Sequence, residues 1–146
     1  MFSSEQNDKN LSLKAEVMLR TAQVRITKQR CAVLETILDS CDHPTAGQIF
    51  ERAKLRTSSL SLATVYNCLE SMTSAHIINQ LRFDNGPSRY CSNEVPHAHV
   101  IDGEGKKVLD VFLKNGASLE DVFELPKNLC INAVDIYLRG QMPHTV

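Results

Sequence analysis

Up to about Ala75 the apolar residues of this chain return every three or four positions, and beyond it they fall into short alternating runs. A helix repeats every 3.6 residues and a strand every 2, so a change of period at one point predicts a helical front half and a β-containing back half. In KQRCAVLETILDS, Val33, Leu34, Ile37 and Leu38 form one stripe. In TAGQIFERAK, Ala46, Ile49, Phe50 and Ala53 form another behind Thr45, a residue type suited to cap a helix. An earlier helix is expected near Leu11 to Ala22. The stretch SLATVYNCLESM starts at a capping residue, Ser61, and its spacing places Leu62, Val65, Tyr66 and Leu69 inward, leaving Ser61, Thr64, Asn67 and Ser71 as a small polar outer face. IINQLRF and SRYCS then read as two strands around the turn Asp84-Asn85-Gly86-Pro87.

With 146 residues, 42% of them hydrophobic, the chain can bury a core as one ordinary domain or two small ones. No run approaches the roughly 18 apolar residues of a membrane span, and MFSSEQNDKNLSLK has no apolar signal core, so a cytoplasmic protein without a membrane partner is expected. Five cysteines form no CxxC pair, which favours free thiols. The net charge of -1 conceals an asymmetry: residues 9–90 hold eleven Lys and Arg against seven Asp and Glu, and residues 91–146 five against eight. Only the first segment suits phosphates.

Helices followed by a hairpin, on a basic segment, give the order of a winged helix-turn-helix. In that fold the helix from Ser61 enters the major groove, where small polar side chains let the backbone approach, and Arg25, Lys28, Arg30 and Arg82 neutralise phosphates. The same order also occurs in protein-binding modules, and the same polar residues also serve to solvate a surface.

RITKQRCAVLETI, DHPTAGQIFERA, SLATVYNCLESM and DNGPSRYCSNEVPHAHVI, in that order and spacing, resemble the ferric uptake regulator family across residues 12–112. The resemblance implies an α+β chain: a winged-helix DNA-binding domain over residues 1–92 and a small α/β dimerisation and metal-sensing domain over residues 93–146. It implies a homodimer that represses transcription from double-stranded operator DNA, with a regulatory metal at the hinge. By position, Tyr66 would touch a base, Arg25 would reach the minor groove, and Ser61, Thr64 and Asn67 would hold phosphates or base edges.

His97 and His99 lie two apart on a β-like run, so both rings can reach one ion about 2 Å from each nitrogen. An HxH alone is a weak signal. The family pattern adds His43, Cys91 and Asp110, giving one divalent ion per chain: zinc, iron or manganese. Cys91 stands where most members have a carboxylate, and a thiolate among imidazoles favours zinc.

Departures from the pattern matter as well. Most members hold a structural zinc with two CxxC pairs, and here those positions read Asp102, Gly105, Gly140 and Pro143, so no structural four-cysteine zinc is expected. A further family metal site is also reduced, with Pro96 and Ala98 beside the histidines and Asn132 downstream. VIDGEGKKVLDV and ELPKNLCINAVDIYLRGQ look like the iron response regulator branch, which leaves haem iron as an alternative occupant of the histidines, and His76 and His144 take no role. Alternatives are a peroxide or redox sensor of the same fold, with Cys91 or Cys68 as the switch, and a small zinc hydrolase. Towards the end, SLEDVFELP reads as a short helix ended by Pro126, and LCINAVDIYLR as a bulged or two-sided strand able to pair across a two-fold axis.

Overall fold

The computed structural model describes residues 4–83, 85–92, 94–95, 97–103, 107–131 and 134–141. Asp84, Pro96, Gly105, Asn132, Pro143 and His144, on which parts of the sequence reading rest, lie outside the described residues. The chain divides into two compact units, Met1–Glu94 and Val95–Val146. No helix among the described residues is long and apolar enough to cross a membrane.

The first unit runs α1 (Ser4–Thr21), α2 (Lys28–Leu38), α3 (Ala46–Ala53), α4 (Leu62–Ser74), β1 (Ile78–Leu81) and β2 (Arg89–Ser92). Its core is made from the predicted stripes: Val33, Leu34 and Ile37 of α2, Ala46, Ile49 and Ala53 of α3, and Val65 and Leu69 of α4. Thr27, Thr45 and Ser61 cap the second, third and fourth helices, each accepting from a backbone N–H three residues on. At Thr45 the cap is reciprocal, because the Gln48 side chain accepts the Thr45 N–H at 2.9 Å. β1 and β2 form an antiparallel hairpin with Asn79 opposite Cys91.

Two helices differ from the sequence reading. α1 begins at Ser4 rather than near Leu11. Residues 5–10 are all exposed, so they carry no apolar period to betray a helix. In α4 the inward face is Val65, Cys68, Leu69 and Met72, whereas Leu62 and Tyr66 are 43% and 54% exposed. The buried stripe is rotated by about one residue from the expected one, and it still obeys i, i+3, i+4, i+7. Cys68 and Met72 fill the interior that Leu62 and Tyr66 were expected to fill.

α1 and α4 also end alike, without a glycine. Gln23 and His76 adopt left-handed φ of 58° and 57°. Val24 N–H reaches Leu19 C=O at 2.9 Å and Ile77 N–H reaches Met72 C=O at 3.0 Å, with a second bond inside each, the Schellman pattern that turns a chain sharply off a helix. His76 thereby redirects α4 into the hairpin.

The second unit contains β3 (His97–Asp102), β4 (Val108–Phe112) and β5 (Tyr137–Gly140) in the order β4-β3-β5. β4 is antiparallel to β3 with Asp110 opposite His99, and β5 is parallel to β3 with Tyr137 opposite His99. The expected helix after Ser118 is a single 3-10 turn, Leu119–Asp121, well short of Pro126. Ser118 donates its N–H and hydroxyl to the Asp121 carboxylate at 2.7 and 3.0 Å, which holds the turn but does not extend it. Among the described residues the expected long final strand is likewise only the four of β5, all exposed, and Leu129, Ile131 and Val134 precede it outside any strand and exposed.

The rotated face of α4 has a direct test by chemical denaturation. Tyr66→Ala is expected to change stability by less than about 0.5 kcal/mol, whereas Met72→Ala is expected to cost about 2–5 kcal/mol. Comparable losses at both positions would restore the original assignment.

A candidate metal centre and nucleic-acid face

In the second unit, pleating sends His97 and His99 to one face of β3, and the register of β4 brings Asp110 across from His99. His97 Nε2 and His99 Nε2 stand 3.0 Å apart, and Asp110 Oδ1 lies 3.5 Å from the first and 3.3 Å from the second. Two ligand atoms each about 2 Å from a tetrahedral ion are separated by about 3.3 Å. The three atoms therefore already mark out one face of a coordination tetrahedron. His97 Nδ1 sits 2.7 Å from the Val95 carbonyl. That acceptor assigns the proton to Nδ1 and leaves the Nε2 lone pair pointing at the other ligands. His99 stacks on Tyr137 with ring centroids 6.0 Å apart, and His97 packs at 5.9 Å from Phe112. Both imidazoles are almost wholly buried, and the Asp110 carboxylate is one-third exposed.

In the first unit His43 and Cys91 are brought together by a strand register. Thr45 bridges antiparallel to Arg89, and Tyr90 N–H donates to Pro44 C=O at 3.0 Å. Continuing that register two residues along each chain sets His43 opposite Cys91. The two are buried, with their ligand atoms within 4.8 Å. His43 holds a left-handed φ of 51°. For a residue with a Cβ this costs about 1 kcal/mol or more, and a residue before proline is ordinarily extended. Arg89 donates to the His43 carbonyl at 3.1 Å, and Arg52 of α3 grips the same turn, donating to Ser40 Oγ at 3.1 Å and to both Asp42 oxygens at 2.8 and 2.6 Å. The Arg52 fork holds the Asp42 carboxyl below the usual carboxylate range.

The residues expected to meet DNA lie on α4 and on the entry to α2. Ser61, Tyr66 and Asn67 are exposed and Thr64 is half-buried at the start of the helix, with its hydroxyl tied to that of Ser61 at 2.8 Å. Arg25 is exposed, and Lys28 lies at the start of α2. Arg30 has a structural duty that sequence did not suggest: its guanidinium donates to the Arg25 carbonyl at 2.8 Å and reaches Ser71 Oγ at 3.5 Å, bracing the loop that presents Arg25. Arg56, by contrast, is occupied by Glu35 and Asp39 at 3.4 and 3.1 Å.

Sequence reasoning named the five candidate ligand side chains but not their supports. Tyr137 was read only as part of a strand, and Arg52, Arg89 and the Val95 carbonyl carry no local signal, because each acts on a residue distant in sequence or through backbone. Among the thiols, burial pushes Cys68 above the ordinary thiol range, so it holds little of the thiolate that a redox switch requires.

Residues 21–138 match the model of the Ferric uptake regulator family. The chain belongs to this family. It is 35% identical over 92 residues to the Peroxide-responsive repressor PerR of Staphylococcus epidermidis, an alignment covering 63% of this chain and 61% of that protein. The chain thus spans about three fifths of the length of the curated relatives it matches. Among solved structures it is similar to the Campylobacter jejuni peroxide stress regulator, with TM-score 0.66, 21% identity and coverage of 99% and 100% of the two chains. It is also similar to a zinc-bound manganese uptake regulator, with TM-score 0.59, 25% identity and coverage of 86% and 98%. These likenesses fit the α+β winged-helix architecture.

Thiol environments predict an order of alkylation. In the native protein at pH 8, intact-mass analysis is expected to find exposed Cys41 and Cys130 modified first by iodoacetamide and Cys68 last. Early modification of Cys68 would return it to consideration as a switch.

Proposed function

We propose that this chain is a metal-responsive transcription regulator that binds operator DNA as a homodimer and reads the concentration of one divalent ion per chain. The observation that carries this reading is the convergence of His97 Nε2, His99 Nε2 and Asp110 Oδ1 at 3.0–3.5 Å, the spacing of ligands around a single ion. His43 and Cys91 supply the remaining ligands, giving three imidazoles, a thiolate and a carboxylate. The thiolate and imidazoles favour zinc, while the oxygen of Asp110 makes five-coordinate iron or manganese feasible. His97 and His99 would not both hold a haem iron, because their nitrogens stand 3.0 Å apart on one face; a haem would have to take one of them alone.

An ion holding ligands from both units would restrict their relative orientation and so the spacing at which a dimer presents its two DNA-reading helices. Metal then raises DNA affinity only to the extent that it binds the DNA-competent arrangement more tightly. The reading helix is α4, with Tyr66 and Asn67 exposed for base edges and Ser61 and Thr64 at its start, and with Arg25 and Lys28 on the phosphates. Exposed apolar side chains of the second unit, among them Leu109, Leu138 and Val134, support dimerisation through that unit. Peroxide sensing is the second reading, favoured by Asp110 in the ligand cluster and by the peroxide-responsive relatives.

Elemental analysis of protein purified without chelators is expected to find about one ion per chain, lost in a His97→Ala, His99→Ala variant, with operator affinity falling at least tenfold in the variant and on chelation of the wild type. Unchanged metal content in the variant would sink the assignment. If the metal-loaded protein releases DNA on peroxide treatment while Cys91 stays reduced, the peroxide reading stands over simple metal sensing.

A further inference from the structure

The turn that carries His43 is held more firmly than a surface turn requires. His43 is both left-handed and followed by proline, two conditions that its own sequence does not favour. Its carbonyl is nonetheless fixed by Arg89, a residue of the same strand as Cys91, and the residues ahead of it are fixed by the two-pronged pairing of Arg52 with Asp42 and by the Arg52 bond to Ser40. Arg89 is therefore bonded to the backbone of one proposed ligand while sharing a strand with the other, two residues away. The Arg89 guanidinium fixes the His43 carbonyl, and with it the peptide plane next to the carbon that carries the imidazole.

We infer that Arg89 and the Arg52–Asp42 pair are positioning residues for metal binding, holding His43 in its left-handed conformation and in register with Cys91 so that both reach the ion without reorganisation. This rests on the reading of His43 and Cys91 as ligands. Neither arginine touches the metal; each acts through the His43 turn. Partners that orient a ligand in this way typically contribute about 10–100-fold to metal affinity, because the ligand that is not held must be ordered at the moment of binding.

The test uses the full chain loaded with cobalt(II), whose visible spectrum reports coordination number and thiolate ligation, alongside zinc affinity from competition with a chelator. Arg89→Met is expected to weaken zinc binding by about 10–100-fold and to change the cobalt d–d bands in the same direction as His43→Ala. The thiolate-to-cobalt band from Cys91 should persist. Arg89→Lys, which still offers a donor to the His43 carbonyl, should restore most of both readouts. A merely structural arginine would lower the thermal midpoint and leave the cobalt spectrum of the folded protein unaltered. Should Arg89→Met fail to fold, Arg52→Lys carries the comparison, since it keeps the charge but loses the two-pronged grip on Asp42. If His43→Ala perturbs zinc affinity and spectrum but neither arginine variant does, the clamp is overturned and the ligand assignment stands. If His43→Ala itself changes nothing, the ligand assignment fails and the clamp with it.

Discussion

The burial of α2 is the constraint on which the first unit depends. Val33, Leu34 and Ile37 are at most 2% exposed, and α2 packs against α1, α3, α4 and β2. An eleven-residue helix is marginal alone in water, so its stability comes from these contacts rather than from propensity. Everything that presents a functional side chain in this unit leans on it. α4 displays Tyr66 because its opposite face is committed to Val65, Leu69 and Met72. β2 packs on α2 and carries Cys91 and Arg89.

The second unit has a different balance. Among its described residues only Ala98, His99 and Ile101 are buried, while Leu109, Phe112, Val122, Leu129 and Leu138 are substantially exposed. Two buried apolar residues, Ala98 and Ile101, do not offset the ordering of the rest of the unit, since fixing each residue costs on the order of 1–2 kcal/mol. These exposed apolar side chains are the basis for proposing dimerisation through this unit, where self-complementary pairing of one face on two copies would add burial.

Much of the fold was legible because it follows from periodicity. The stripes of α2 and α3, the caps Thr45 and Ser61 and the hairpin all have a local chemical cause and appear where that cause lies. What was not legible depends on distance or on negative information. The first two turns of α1 are polar on every side, so no moment marks them. The ends of α1 and α4 use Gln23 and His76 where glycine would have been the visible sign. The phase of α4 was misjudged because Tyr66 and Leu62 are apolar by type, although the surface is where they stand. In the second unit the apolar run near Leu129 to Leu138 read as a strand by its alternation, whereas among its described residues only those from Tyr137 onward pair with β3. The candidate ligands were found through family position, while the HxH pair alone supplied only the geometric part of the argument.

The chemistry of the proposed ligands bears on how readily such a site would accept an ion. Two imidazole nitrogens and a carboxylate oxygen already at 3.0–3.5 Å would need little reorganisation to close on one. On the proposed reading, Cys91 stands beside His43 where the family usually has a carboxylate, and a thiolate there would favour a soft ion over a hard one. The choice of that one residue would then bear on which metal the chain reads, as well as on how tightly it is held.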